Sequence, residues 1–138
     1  MTDFSSDVSQ WCDQATDRAS ALFCTIVADA VARVQELTPV DTGFLRSNWT
    51  VVKPGDAEPV AGRVPNPQNA IIQSEVGDVL MIVNPTVYAR RIEFGYTGED
   101  SLGRYFNQPG RHMMQQTISE MPQIAQRALA RVSTGGTR

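Results

Sequence analysis

The sequence holds one histidine, His112, and two cysteines, Cys12 and Cys24. A single imidazole excludes any site that needs two or more histidine ligands from one chain, and the cysteines lack metal-ligand spacing. If both cysteines share a helix, as the surrounding pattern predicts, they stand about 18 Å apart. That is beyond disulfide reach, so both are expected as buried thiols in a reducing compartment. The ten glycines are spread through turns and form neither a P-loop nor a dinucleotide fingerprint. No run approaches the roughly 18 apolar residues of a membrane span, so no membrane partner is expected. Met1-Thr2-Asp3-Phe4 opens acidic, without a basic leader and an apolar run, so no secretory signal is expected and the sequon Asn48-Trp49-Thr50 carries no meaning. Excess positive charge is missing as well: the net charge is −3, which gives no reason to expect a general nucleic-acid or membrane binder. No catalytic constellation is visible, and nothing in the sequence places the carboxylates of Asp41 and Glu93 together. Neither an enzyme, a cofactor nor a metal is expected.

The chain has 138 residues, 41% hydrophobic and 20% charged, which suits one globular domain. Its charge is uneven. Residues 1–60 carry nine acids against four bases, and residues 61–138 carry six acids against eight bases. The halves are therefore −5 and +2, a polarity suited to unlike faces of neighbouring copies meeting head to tail in a ring.

Over residues 7–37, Val8, Trp11, Ala15, Ala19, Leu22, Ile26, Val27, Val31 and Val34 recur mostly at steps of three and four, which predicts one long amphipathic helix. Ser5, Ser6 or Asp7 caps its start, and Thr38-Pro39 ends it. Thirty residues span roughly 45 Å, more than a small domain needs, so either another subunit covers part of the stripe or the small sheet and the second helix cover all of it. A short piece at Phe44–Ser47 and a strand at Asn48–Lys53 follow. Pro54–Pro67 holds four prolines and two glycines and reads as a projecting arm, with the loop taken as 54–69. Ala70–Glu75 and Val79–Asn84 read as a hairpin, the second as its central strand. Val87–Phe94 reads as a short helix, Gly95–Gln108 as a second irregular loop, and Pro109 to about Val132 as a final helix kinked or divided at Pro122. Residues 133–138 read as a disordered tail. The expected fold is α+β: long N-terminal and C-terminal helices on a small, mostly antiparallel sheet, with two long loops, in one domain over 1–132.

Two phrases stand out. In Pro39-Val40-Asp41-Thr42-Gly43-Phe44-Leu45-Arg46-Ser47, Asp41 accepts from nearby backbone N–H groups, Gly43 permits positive φ, Leu45 anchors inward and Arg46 is available to a carboxylate. In Tyr88-Ala89-Arg90-Arg91-Ile92-Glu93-Phe94-Gly95, Arg90 and Arg91 project to different sides, Glu93 lies within helical pairing reach of Arg90, and Gly95 suits a left-handed cap. Arginine is favoured in planar, partner-facing ion pairs, so Arg46, Arg90 and Arg91 point outward to an interface.

With Gln108-Pro109-Gly110-Arg111 before the closing helix and Tyr105-Phe106 ahead of it, these phrases resemble a family of long-tailed bacteriophage neck proteins, also called tail-completion or minor tail protein Z-like proteins. The resemblance covers most of residues 7–130. It departs at the Pro54–Pro67 insert and around Gly103-Arg104. It implies a non-enzymatic structural subunit at the head–tail junction of the virion, assembled in the host cytoplasm as a homo-oligomeric, hexameric ring. The implied neighbours are a head-side connector or head-completion protein and the tail terminator or tail tube. By motif position Asp41, Gly43, Leu45, Arg46, Tyr88, Glu93, Phe94 and Gly95 shape the subunit and its contacts. A tail terminator capping the tail tube, or a DNA-contacting adaptor, is the alternative. In the DNA-contacting reading Arg104 and Arg111, with Arg127, Arg131 and Arg138, are candidates for weak, sequence-blind contact with packaged DNA.

Overall fold

A computed structural model describes residues 4–40, 43–99 and 101–135. Helix α1 runs from Phe4 to Leu37, 34 residues and roughly 51 Å. It stops where Pro39 would oppose further helix, and Thr38 Oγ1 returns a hydrogen bond to the Val34 carbonyl. A single turn, α2 (Phe44–Ser47), leads into β1 (Thr50–Val52), which pairs antiparallel with β2 (Met81–Val83), Val51 opposite Ile82. Helix α3 (Pro67–Ile72) lies between them in sequence, and α4 (Ala89–Phe94) follows. Strands β3 (Gly95–Glu99) and β4 (Tyr105–Pro109) form a second antiparallel pair. Helices α5 (Met113–Ser119) and α6 (Met121–Gly135) close the fold, packed along α1.

The core lies against the C-terminal half of α1. Val34, Leu45, Trp49 and Met113 form one buried cluster, Val31, Val51 and Ile71 another, and Ile82 packs on both. The Trp49 indole N–H is satisfied by Thr38 Oγ1 at 2.8 Å, as a buried indole requires. Arg33 forks onto Glu120 through two hydrogen bonds of 2.9 and 3.1 Å, tying α1 to the α5–α6 junction. Arg131 of α6 pairs with Asp29 of α1.

The α+β class is as expected, but several elements differ from the sequence reading. Residues 70–75 do not form a strand. The Asn66 side chain accepts from Gln68 N and Pro67 opens the turn, two start signals that make Pro67–Ile72 a helix. Val79–Asn84 supplies no central strand; its Met81–Val83 pairs with β1 alone, and Met81 is exposed. The expected single sheet is therefore two separate two-stranded ladders. Gly95–Gln108 is mostly a hairpin. The final helix is divided next to Pro122, one of the two outcomes expected of that proline, which sits in the first turn of the second helix, where its missing N–H leaves no bond unmade. Pro109 ends β4 instead of entering the helix. Helix α6 continues through Ser133–Gly135, into the expected tail, while 136–138 lie outside the described residues.

The Pro54–Pro67 segment does not project as a free arm. Asn48 Oδ1 accepts from Gly62 N at 2.7 Å and Thr50 Oγ1 donates to Pro65 O at 2.6 Å, folding the loop back on β1. Asn48 is buried, so its sequon is closed to modification. Cys12 is exposed instead of buried; Cys24 is partly buried, its thiol against the Ile71 carbonyl and Ser74.

The turn before β2 carries an acid-sensitive contact. Asp78 Oδ2 accepts from Glu75 N at 2.9 Å and faces Lys53 Nζ at 3.5 Å. That backbone hydrogen bond, with the lysine charge, holds the Asp78 carboxyl below its ordinary value of 3.8. A depressed folded-state pKa stabilises above the unfolded value and loses that contribution as pH falls through the folded one. Asp78→Asn is therefore expected to flatten the stability profile below about pH 4 while leaving its slope near neutrality unchanged, as urea titrations at stepped pH would show.

Candidate functional site

The tertiary structure brings the two phrases together. Gly43 takes φ 81° and ψ −6°, a left-handed start to α2 that glycine adopts freely. It turns Leu45 into the core beside Trp49 and Met113, with Ala89 and Ile92 of the second phrase packed on the same cluster. Asn84 links the phrases through its side chain: Nδ2 donates to the Leu45 carbonyl at 2.8 Å, while Oδ1 accepts from Thr86 N and Oγ1, fixing the turn into α4. The Phe44 and Tyr88 rings meet at 6.5 Å between centroids. Arg46 Nη2 donates to the Thr38 carbonyl at 3.3 Å; among the described residues no carboxylate bonds it. Asp41, with Thr42, lies outside the described residues.

The second phrase is a clamp. Glu93, expected to pair with Arg90, points inward and is 9% exposed. Its Oε1 accepts from Met114 N at 2.8 Å and its Oε2 from Gln115 N at 3.1 Å, so it caps the start of α5 with a negative charge where the helix leaves N–H groups unpaired. The backbone reinforces this: Arg111 N donates to Ile92 O at 2.7 Å and His112 N to Glu93 O at 3.0 Å. His112 is the residue before α5, with φ 50°, and its side chain makes no capping bond because Glu93 does that work. Gly95 ends α4 with positive φ but an extended ψ of 169°, so it is not the expected left-handed cap. A Cβ there would lie 2.7 Å from both Gln108 O and Gly110 N, and one at Gly110 would lie 2.6 Å from Glu93 O. Gly95 and Gly110 let two backbones touch. The glutamate–phenylalanine–glycine of the phrase thus joins α4, the hairpin and α5.

The remaining candidates face outward. Arg90 lies over the Phe94 ring at 5.9 Å and Arg91 over Tyr96 at 4.2 Å, on different sides of α4. Arg104 lies over Phe106 at 5.9 Å, and Arg111 is exposed. Phe94 is 67% exposed, not packed. Sequence reasoning missed the capping role of Glu93 because its partners stand 21 and 22 residues further on. Among the described residues no cluster could hold a metal ion, and no helix is long and apolar enough to cross a membrane. A cleft of about 690 Å³ between α1 and α6 is lined by the Arg33–Glu120 and Asp29–Arg131 pairs. These charges already neutralise one another.

Comparison with known proteins agrees with the phrases. A family model described as "Bacteriophage HK97-gp10, putative tail-component" matches residues 1–95, from α1 through the second phrase to Gly95. The matched stretch leaves out most of the hairpin and α5–α6. No curated protein and no solved structure matches the chain. With both phrases inside a match covering more than half of its length, the chain belongs to the HK97-gp10-like family of bacteriophage tail components.

Proposed function

We propose that the protein is a structural, non-catalytic subunit of a homo-oligomeric ring at the head–tail junction of the virion. In this reading it stands between a head-side connector or head-completion protein and the tail terminator or tail tube. The observation that carries the reading is the overhang of α1. Every residue from 4 to 18 is exposed, although Phe4, Val8, Trp11 and Ala15 form one apolar stripe at steps of three and four. A helix half without tertiary cover is marginal in water, and a stripe bearing two large aromatics marks a surface that a neighbour covers. Family membership supplies the phage setting.

Light scattering across a concentration series is expected to show a ring-sized species or a monomer–ring equilibrium. A strict monomer at every concentration would sink the ring. Immunolabelling of particles separates the locations: label at the neck of joined particles is expected, whereas label on headless tails would make the protein a tail terminator.

A further inference from the structure

The ring reading requires two surfaces per subunit, and among the described residues two aromatic-bearing elements stand largely uncovered. One is the N-terminal half of α1. The other is the face formed by α4 and the β3–β4 hairpin. We propose that the first of these in one copy docks on the second in the next copy. This rests on the ring reading and specifies its contact.

The hairpin is short of cover in the same way as the helix. All five residues of β4 are exposed, and a two-stranded ribbon without packing on its faces is marginally stable by itself. Tyr96 pairs with Gln108 and Gly98 with Phe106, so Tyr96 and Phe106 share one face. Arg91 lies over the first ring and Arg104 over the second, giving that face two aromatics under two guanidiniums.

The helix stripe is its chemical complement. Phe4 is 80% and Trp11 68% exposed, and Asp7 stands one turn from both. The exposed stretch, residues 4–18, holds three acids, Asp7, Asp13 and Asp17, against one base, Arg18 at its inner end. The acidic aromatic helix and the aromatic face that carries Arg91 and Arg104, with Glu99 turned to the opposite face of the hairpin, match in charge and in the apolar area each must bury.

The two surfaces cannot meet within one subunit. Val34 packs on Met113, beside the Glu93 cap from which the hairpin departs. Phe4 stands thirty residues further up the same helix, roughly 45 Å away. The contact must therefore join different copies through unlike patches, the head-to-tail arrangement that closes into a ring when its rotation permits.

The native thiol of exposed Cys12, one residue from Trp11, makes the test direct. In the full chain carrying Cys24→Ser and Gln108→Cys, a short bis-maleimide is expected to give a ladder of covalent multimers. Asn107→Cys, on the opposite face of the hairpin, is expected to give at least fivefold less, and adding Trp11→Ser to the Gln108→Cys chain should abolish the ladder. Light scattering on the same samples separates the failures. Association without a ladder, and unaltered by Trp11→Ser, would overturn the docking proposal and leave the ring standing. A monomer at every concentration would overturn both. If Arg91→Glu with Arg104→Glu left assembly intact but removed retention on DNA at low salt, the face would belong to nucleic acid and the proposal would fall.

Discussion

Replacing Gly95 by alanine is expected to destabilise the protein by about 3–5 kcal/mol, a large share of a typical domain's total. Two independent effects add at this position. At φ 86° and ψ 169° the backbone occupies a region essentially restricted to glycine, costing an L-residue about 1–3 kcal/mol. The new methyl would also lie 2.7 Å from Gln108 O and Gly110 N. Both are backbone atoms of the neighbouring strand and turn, so the clash is relieved only by moving β4 off α4. That movement would pull on the Arg111–Ile92 and His112–Glu93 hydrogen bonds and so loosen α5. Gly103→Ala is the control. Its φ of 76° is also positive, but a Cβ there meets nothing within 4 Å, so the expected cost is only about 1 kcal/mol. Urea unfolding of both variants checks the contrast. Equal losses would show that conformation alone, and not the contact between the two backbones, makes Gly95 necessary.

Glu93→Ala is expected to cost about 3 kcal/mol. The substitution removes two charge-assisted hydrogen bonds and the favourable placement of a carboxylate at the start of α5, where capping losses run to about 2 kcal/mol and bonds to charged groups to about 1.5–3 kcal/mol. It also leaves the Met114 and Gln115 N–H groups facing a cavity. Glu93→Gln should lose about half as much, since the amide keeps one acceptor but turns its NH₂ toward a donor. Faster hydrogen exchange at the Met114 and Gln115 amides would place the effect at the cap. A Glu93→Ala protein within about 0.5 kcal/mol of the parent would mean that the glutamate is dispensable to the clamp.

The same clamp shows why some of the fold was legible in the sequence and some was not. Helix α1 was readable because its cause is local: a stripe at steps of three and four, ended by Thr38-Pro39. The turn at Gly43, the inward Leu45 and the helix before Gly95 were readable for the same reason. Helix α3 was not legible because the apolar Ala70-Ile71-Ile72 lies in a segment too short for periodicity to decide, and its start at Asn66-Pro67 sits in a stretch whose prolines read as loop. The β3–β4 hairpin carries no alternation of apolar and polar residues, since both of its faces are largely exposed, so nothing in its pattern marked it as strand.

Sequence alone determined the secondary structure that periodicity and backbone chemistry impose, and the two phrases that place the chain in its family. Only the tertiary structure decided what those phrases do. Glu93 caps a helix that begins some twenty residues later, Gly95 admits a strand that returns from a hairpin, and Asn84 ties one phrase to the other. Such contacts join residues whose separation along the chain has no fixed relation to their distance in space. The exposed half of α1 also belongs to this second group. Its stripe looks the same in sequence along its whole length, and only the packing of the core shows which half the subunit covers itself.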